Sequence, residues 1–152
     1  MKQVSEQEAV RRCAAYCSVA ERCIRDVAKK LEQWEIPLHT RKNILARLQK
    51  EGFLDEARYC RAFVNDKTRF AKWGKNKIIY ALRQKQVAEE EIRSAIRIID
   101  ADDHTETLKA LLQQKRKSVK GKDEYEIRMK LMRFAAGRGF DLDEINKCLT
   151  TL

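Results

Sequence analysis

The residues of this chain that could do chemistry are cations and aromatic rings, and they concentrate between Lys67 and Ala88. Seven Lys or Arg stand there (Lys67, Arg69, Lys72, Lys75, Lys77, Arg83, Lys85), with Phe70, Trp73 and Tyr80 interleaved and no Asp or Glu. Lys and Arg neutralise phosphates and release counterions, so such a stretch suits nucleic acid or another polyanion. Rings among the cations can stack on exposed bases. Trp73, beside Gly74 at a helix break, reads equally as a stacking residue and as core, whereas Phe70 is expected in the core. A second cluster, Lys115, Arg116 and Lys117, reads as a solvated helix end or as more of the same surface. The candidate contacts are therefore Arg69, Lys72, Trp73, Lys75, Lys77, Arg83, Lys85, Lys115, Arg116 and Lys117.

Other chemistries find little support. Only His39 and His104 could serve as an imidazole base, and both stand near predicted helix starts in polar context, as caps or surface residues. No GxSxG, HExxH, Walker A or glycine-rich phosphate loop occurs. Asp102-Asp103 and Asp141/Asp143 look like helix starts. An enzyme is not expected, and neither catalytic residues nor a cofactor are assigned. Cys13 and Cys17, with Cys23 nearby, could reach one metal ion, but both lie on an apolar stripe where a free cysteine packs as a small core residue. No metal site is expected. Five cysteines without a CxxC pair fit reduced thiols in a cytoplasmic protein. No apolar run approaches the roughly 18 residues of a membrane helix. MKQVSEQEAVRRC lacks an apolar segment of the secretory type.

These side chains must be positioned by helices. The 152 residues are 43% hydrophobic and 37% charged, with one Pro and five Gly, which leaves little material for sheet turns. Good helix formers dominate, and an all-α fold follows. Ser5 to Glu8 and Ser18 to Glu21 read as capping boxes that open two helices. Pro37 and Gly52 bracket a third. Asp55, the Glu89–Glu91 run, Asp123 and Asp141 mark later starts. Ala101 to His104 reads as a polar joint.

The helix order repeats. With Ile36, Val87 and Phe140 aligned, the anchors are 51 and 53 residues apart, and Ile44-Leu45, Ala95-Ile96 and Cys148-Leu149 follow at matching distances. The expected organisation is three helical repeats, 1–52, 53–100 and 101–152, in an elongated, curved array. The net charge of +10 is shared, with eleven basic residues in each repeat. An extended basic body suits a filament or groove better than a compact ligand.

The ordered motifs resemble one known family. Gly52-Phe-Leu-Asp-Glu-Ala-Arg-Tyr59 followed by Ala62-Phe-Val64 is similar to the central signature of the RecX family, G-L-L-D-D-x-R-F-A with F-V after it. Arg138-Gly-Phe140 matches its R-G-F, Ser18 with Glu21 its S-x-x-E, and Gly74 with Lys77-Ile78 its G-x-x-x-I. The match runs from about Ala9 to Leu149. Lys85-Gln-Val87 replaces the family's K-G-[IV], which loses a turn glycine, and Ala135 stands where the family has Leu. The resemblance implies three tandem three-helix repeats in a curved body. It also implies a regulator that lodges in the groove of the RecA–DNA filament, suppresses ATPase and strand exchange, and binds single- and double-stranded DNA more weakly by itself. Such a regulator is expected to be a cytoplasmic monomer with no membrane partner. Asp55 and Arg58 are expected to be structural. The competing readings are a stand-alone helix-turn-helix-like DNA-binding protein and a scaffold for acidic proteins.

Overall fold

Short polar side chains set where most helices begin. Ser5 Oγ accepts the Glu8 N–H at 3.1 Å, Asp100 Oδ1 that of Asp103 at 3.0 Å, Asp123 Oδ1 that of Glu126 at 2.9 Å, and Asp141 Oδ1 that of Glu144 at 2.8 Å. The computed structural model describes residues 3–151. Among them are nine helices and no strand: α1 Glu6–Val19, α2 Ile24–Gln33, α3 Leu38–Lys50, α4 Glu56–Arg69, α5 Lys75–Gln84, α6 Glu89–Ile96, α7 Ala101–Arg116, α8 Glu124–Gly137 and α9 Leu142–Thr150. Met1, Lys2 and Leu152, included in the expected first and last repeats, lie outside the described residues.

The chain divides into two compact units, Met1–Ala62 with Leu82–Ile92, and Phe63–Ala81 with Arg93–Leu152. In the first, α1, α2 and α3 close over Cys13, Val27, Leu31, Ile44 and Leu48. In the second, α7, α8 and α9 close over Leu108, Leu112, Leu131, Phe140 and Ile145. All five cysteines are free and buried. Burial pushes the Cys13 and Cys23 thiols up to about 11 and that of Cys60 to about 12, so they pack as apolar side chains.

The three aligned anchors end three identical helix stops. Ile36, Val87 and Phe140 are buried, and their N–H groups reach back to Leu31, Leu82 and Ala135 carbonyls at 3.1–3.3 Å. The residue before each is left-handed: Glu35 at φ 56, Gln86 at φ 58 and Gly139 at φ 100. Their N–H groups bond to Glu32, Arg83 and Ala136. This double bond with a left-handed penultimate residue is the Schellman stop. Gln86 therefore keeps the turn despite the lost glycine, against the left-handed preference of an L-residue. Replacing it (Gln86→Gly) is expected to stabilise the chain by about 0.5–1 kcal/mol, measured by urea unfolding, because relief of strain exceeds the added freedom of the unfolded chain.

The signature segment is structural. Asp55 Oδ1 caps α4 through the Arg58 N–H at 3.0 Å. Arg58 Nε donates to Glu21 Oε2, and its Nη2 donates to the Gly52 and Phe53 carbonyls. Glu56 caps a different helix, accepting the Ile24 N–H of α2 at 3.1 Å. Arg58 and Glu56 thus clamp the α1–α2 joint to the α3–α4 turn.

Four expectations need correction. Ser18 does not open a helix: it lies in the last turn of α1, its hydroxyl donates to the Ala14 carbonyl, and α2 restarts after Cys23, whose N–H bonds to Asp26. Residues 101–104 are not a joint but the first turn of α7, capped by Asp100. His104 is not a surface residue but buried, its ring tilted against Phe140 with centroids 4.8 Å apart. Phe70 is not core but 79% exposed. It lies roughly 100° around the helix from the Cys60–Val64 stripe, so the α4 geometry turns it outward.

His104 Nε2 makes no hydrogen bond and stands 3.7 Å from Glu144 Oε2. Burial, then the charge of Lys75, holds the imidazole below its ordinary value. Burial, then Asp141, lifts the Glu144 carboxyl from 4.5 to about 7. A carboxyl raised in the folded state stabilises while protonated, and that contribution is lost as pH climbs from 4.5 to about 7. His104, lowered when folded, works in the opposite sense below its ordinary value. Glu144→Gln is therefore expected to leave a stability that only rises with pH toward neutrality. Urea midpoints at about pH 5 and about pH 7.5 check this, with a gain of about 1 kcal/mol for the variant at the higher pH after solvent screening.

Candidate nucleic-acid interface

The acid-free segment takes its form from the way α4 ends. Past Arg69 the Phe70 and Trp73 N–H groups still reach back to the Asp66 and Lys67 carbonyls, each at 2.9 Å. Lys72 is left-handed at φ 58 and reverses the chain. Trp73 then meets Phe63 edge-on with centroids 6.3 Å apart. Lys67 Nζ and Lys77 Nζ each sit 4.6 Å from the Trp73 ring centroid. A half-buried indole holding two ammonium groups concentrates positive charge at one point.

The start of α5 is bonded to the end of α8. Gly74 N–H donates to the Arg138 carbonyl at 2.7 Å, and Asn76 N–H donates to the Gly139 carbonyl at 2.9 Å. The free N–H groups of one helix start thereby satisfy free carbonyls at another helix's end. Arg138 Nη1 donates to the Ala71 carbonyl at 3.4 Å, and its guanidinium lies 5.2 Å from the Phe134 centroid. Lys115 Nζ is also 5.2 Å from that ring. A second cation–aromatic group is thus joined to the turn that carries Trp73.

The structure brings some expected contacts together and sets others apart. Trp73, Lys77 and, through Phe134 and Arg138, Lys115 belong to one connected cluster in the second unit, and Lys72 is exposed on the turn beside Trp73. Arg69 and Lys117 are exposed there. Lys75 lies close enough to His104, Asp141 and Glu144 to influence all three. Arg116 pairs with Glu124 at 3.0 Å. Arg83 and Lys85 belong to the first unit and are already paired. Arg83 grips both carboxylate oxygens of Glu89, at 2.7 and 3.1 Å, and Lys85 Nζ donates to Asp26 at 2.8 Å. Burial alone would raise the Asp26 carboxyl, but the bonds from Lys85 and the Cys23 N–H outweigh it and hold the group below its ordinary value.

Sequence reading missed Lys67, Arg138, Phe63 and Phe134 as members of this cluster. The i, i+4 spacing of Phe63 and Lys67 was the available signal. Arg138, read only as part of a motif, gave none for its contact with Ala71. Among the described residues no helix is long and apolar enough to cross a membrane.

Two family models match the chain. Residues 55–96 match "RecX, second three-helix domain" and residues 101–149 match "RecX, third three-helix domain". The regulatory protein RecX of Prosthecochloris aestuarii is 30% identical over 152 residues, covering 100% of this chain and 98% of that protein. The chain belongs to the RecX family. The RecX of Clostridium perfringens (strain 13 / Type A) is 29% identical over 130 residues, which span 84% of this chain but only 60% of that longer protein. Two crystal structures share the fold. One, of a regulatory protein RecX, has a TM-score of 0.87 at 22% identity over 95% of this chain and 71% of its own. The other, of RecX from Lactobacillus salivarius, also has 0.87, at 17% identity over 97% and 96%. The RecX fold is all-α and built of three-helix domains, as the repeat of helix stops indicates.

Proposed function

We propose that this RecX chain is a non-enzymatic regulator that binds the RecA–DNA filament and restrains it, lowering recombinase ATPase and strand exchange. It acts as a cytoplasmic monomer and binds single- and double-stranded DNA more weakly by itself. The observation that carries this reading is the Lys67–Trp73–Lys77 cluster, two cations held on one ring in a stretch without acidic residues. Such a group attracts a polyanion and offers no nucleophile or base for bond cleavage. The repeats proposed at 1–52, 53–100 and 101–152 would then present basic side chains along the filament. Lys67, which the structure adds to the cluster, and Arg69, Lys72, Lys75, Lys77, Lys115 and Lys117 are the proposed contacts. Arg83, Lys85 and Arg116 contribute only where they exchange their intramolecular acid for phosphate.

Trp73 already carries two lysines against its ring, which compete with a base for it. Phe70, exposed on the same turn, is the unobstructed ring. Phe70→Ala is expected to weaken single-stranded DNA binding about 5–10-fold, read by fluorescence anisotropy, with no loss of thermal stability.

Co-sedimentation tests the main reading. RecA filaments assembled on single-stranded DNA should carry the chain into the pellet at ratios free DNA does not reach. A chain left in the supernatant contradicts the proposal, and a duplex selection that returned a consensus sequence would point instead to helix-turn-helix readout.

A further inference from the structure

A groove of about 540 Å³ runs between α2 and α3 of the first unit. Ile24, Ala28 and Leu45 line it half-buried, and Leu38, beside them, is 62% exposed. A large aliphatic side chain left in water at the edge of an apolar groove marks a surface suited to a partner. Four cations stand around this floor: Arg25, Lys29, Arg41 and Lys42. The two carboxylates at the rim are already engaged, Glu32 with Arg41 at 3.7 Å and Glu56 with the Ile24 N–H. Among the described residues Arg25, Lys29 and Lys42 make no ion pair.

We propose that this groove docks an acidic peptide segment bearing one large apolar side chain, supplied by a partner protein. The cations complement the acidic residues, and the apolar side chain takes the floor beside Leu38. A phosphodiester backbone fits less well, because it has no apolar group for the floor. A second copy of the chain fits poorly, because each copy carries a net charge of +10. The mode is an amphipathic segment laid between two helices, its charges setting specificity and its apolar anchor supplying most of the affinity. The inference does not depend on the filament reading.

The probe is a short fluorescein-labelled peptide of Glu, Asp and Ala with a single Phe. Controls are the same peptide with Phe replaced by Ala, a Lys-for-acid version, and a single-stranded oligonucleotide. Anisotropy should show binding in the range of about 10–100 μM for the acidic Phe peptide alone. The double variant K29E/K42E should weaken it at least about tenfold, and Leu38→Ser about fivefold. All three positions are exposed, and matching thermal melts keep folding out of the comparison. Amide chemical shifts of Ile24, Ala28 and Leu45 should move on titration. Equal binding of the Phe-less peptide overturns the proposal, as does indifference to K29E/K42E. Displacement of the peptide by the oligonucleotide, with the same loss in K29E/K42E, overturns it in favour of a nucleic-acid site. None of these outcomes touches the co-sedimentation result, which rests on other residues.

Discussion

The double variant K67E/K77E is expected to lose single-stranded DNA and filament affinity by about 10–100-fold at moderate salt, with its fold intact. Both ammonium groups lie 4.6 Å from the Trp73 centroid, so two reversals turn the most concentrated cationic point of the second unit into a repulsive one. Each lysine that meets a phosphate also releases counterions. The slope of log affinity against log salt should therefore flatten by about 2. Lys75 is a worse choice for reversal. A carboxylate there would face Asp141 and Glu144, whose proton affinities Lys75 now lowers, and lost stability would be confused with lost binding. Anisotropy at a series of salt concentrations reads both numbers. An unchanged slope would mean that these cations meet no phosphate.

Gly74→Ala and Gly139→Ala are expected to cost about 2–4 kcal/mol each, the largest stability losses among single methyl additions in this chain. A Cβ at Gly74 would stand 2.3 Å from the Gly139 carbonyl carbon and 2.4 Å from the Phe140 nitrogen. A Cβ at Gly139 would stand 2.4 Å from Lys77 Cβ and 2.6 Å from the Lys77 nitrogen, on a residue whose φ of +100 already disfavours a side chain. All but Lys77 Cβ are backbone atoms, held by the Gly74–Arg138 and Asn76–Gly139 hydrogen bonds, and a Cβ does not move with the rotamer, so no rotamer change relieves the clash. Urea unfolding gives the loss directly. Gly137→Ala is the control, since nothing lies within 4 Å of its added Cβ and its effect should be small.

The repeated helix stop was legible in the sequence because each stop buries an apolar anchor after a left-handed residue. Ile36, Val87 and Phe140 keep that spacing whether the turn residue is Glu, Gln or Gly. The α-helical class was legible from composition and capping residues, and Asp55, Asp123 and Asp141 start the helices expected of them. Local pattern failed where a longer contact decided. Ser18 resembled a cap, yet the chain stays helical to Val19, and Asp26 supplies the next start. His104 stood among acidic residues, but a helix one turn longer than expected carries it inward onto Phe140. Phe70 was assigned inward on hydrophobicity, whereas its angle about α4 turns it outward. The basic segment was legible as a group, but its internal arrangement was not. Spacing says nothing of the pairing of Lys85 with Asp26, 59 positions away, or of the reach of Arg138 to Ala71 across 67.

The central claim is that a basic helical chain restrains a recombinase filament by occupying it, without covalent chemistry. DNA-dependent RecA ATPase, followed as the unmodified chain and K67E/K77E are titrated in parallel, tests it most directly. The account predicts a progressive fall in hydrolysis with the unmodified chain and near-normal hydrolysis with the double variant at the same concentrations. Normal hydrolysis under a large excess of the unmodified chain would contradict it.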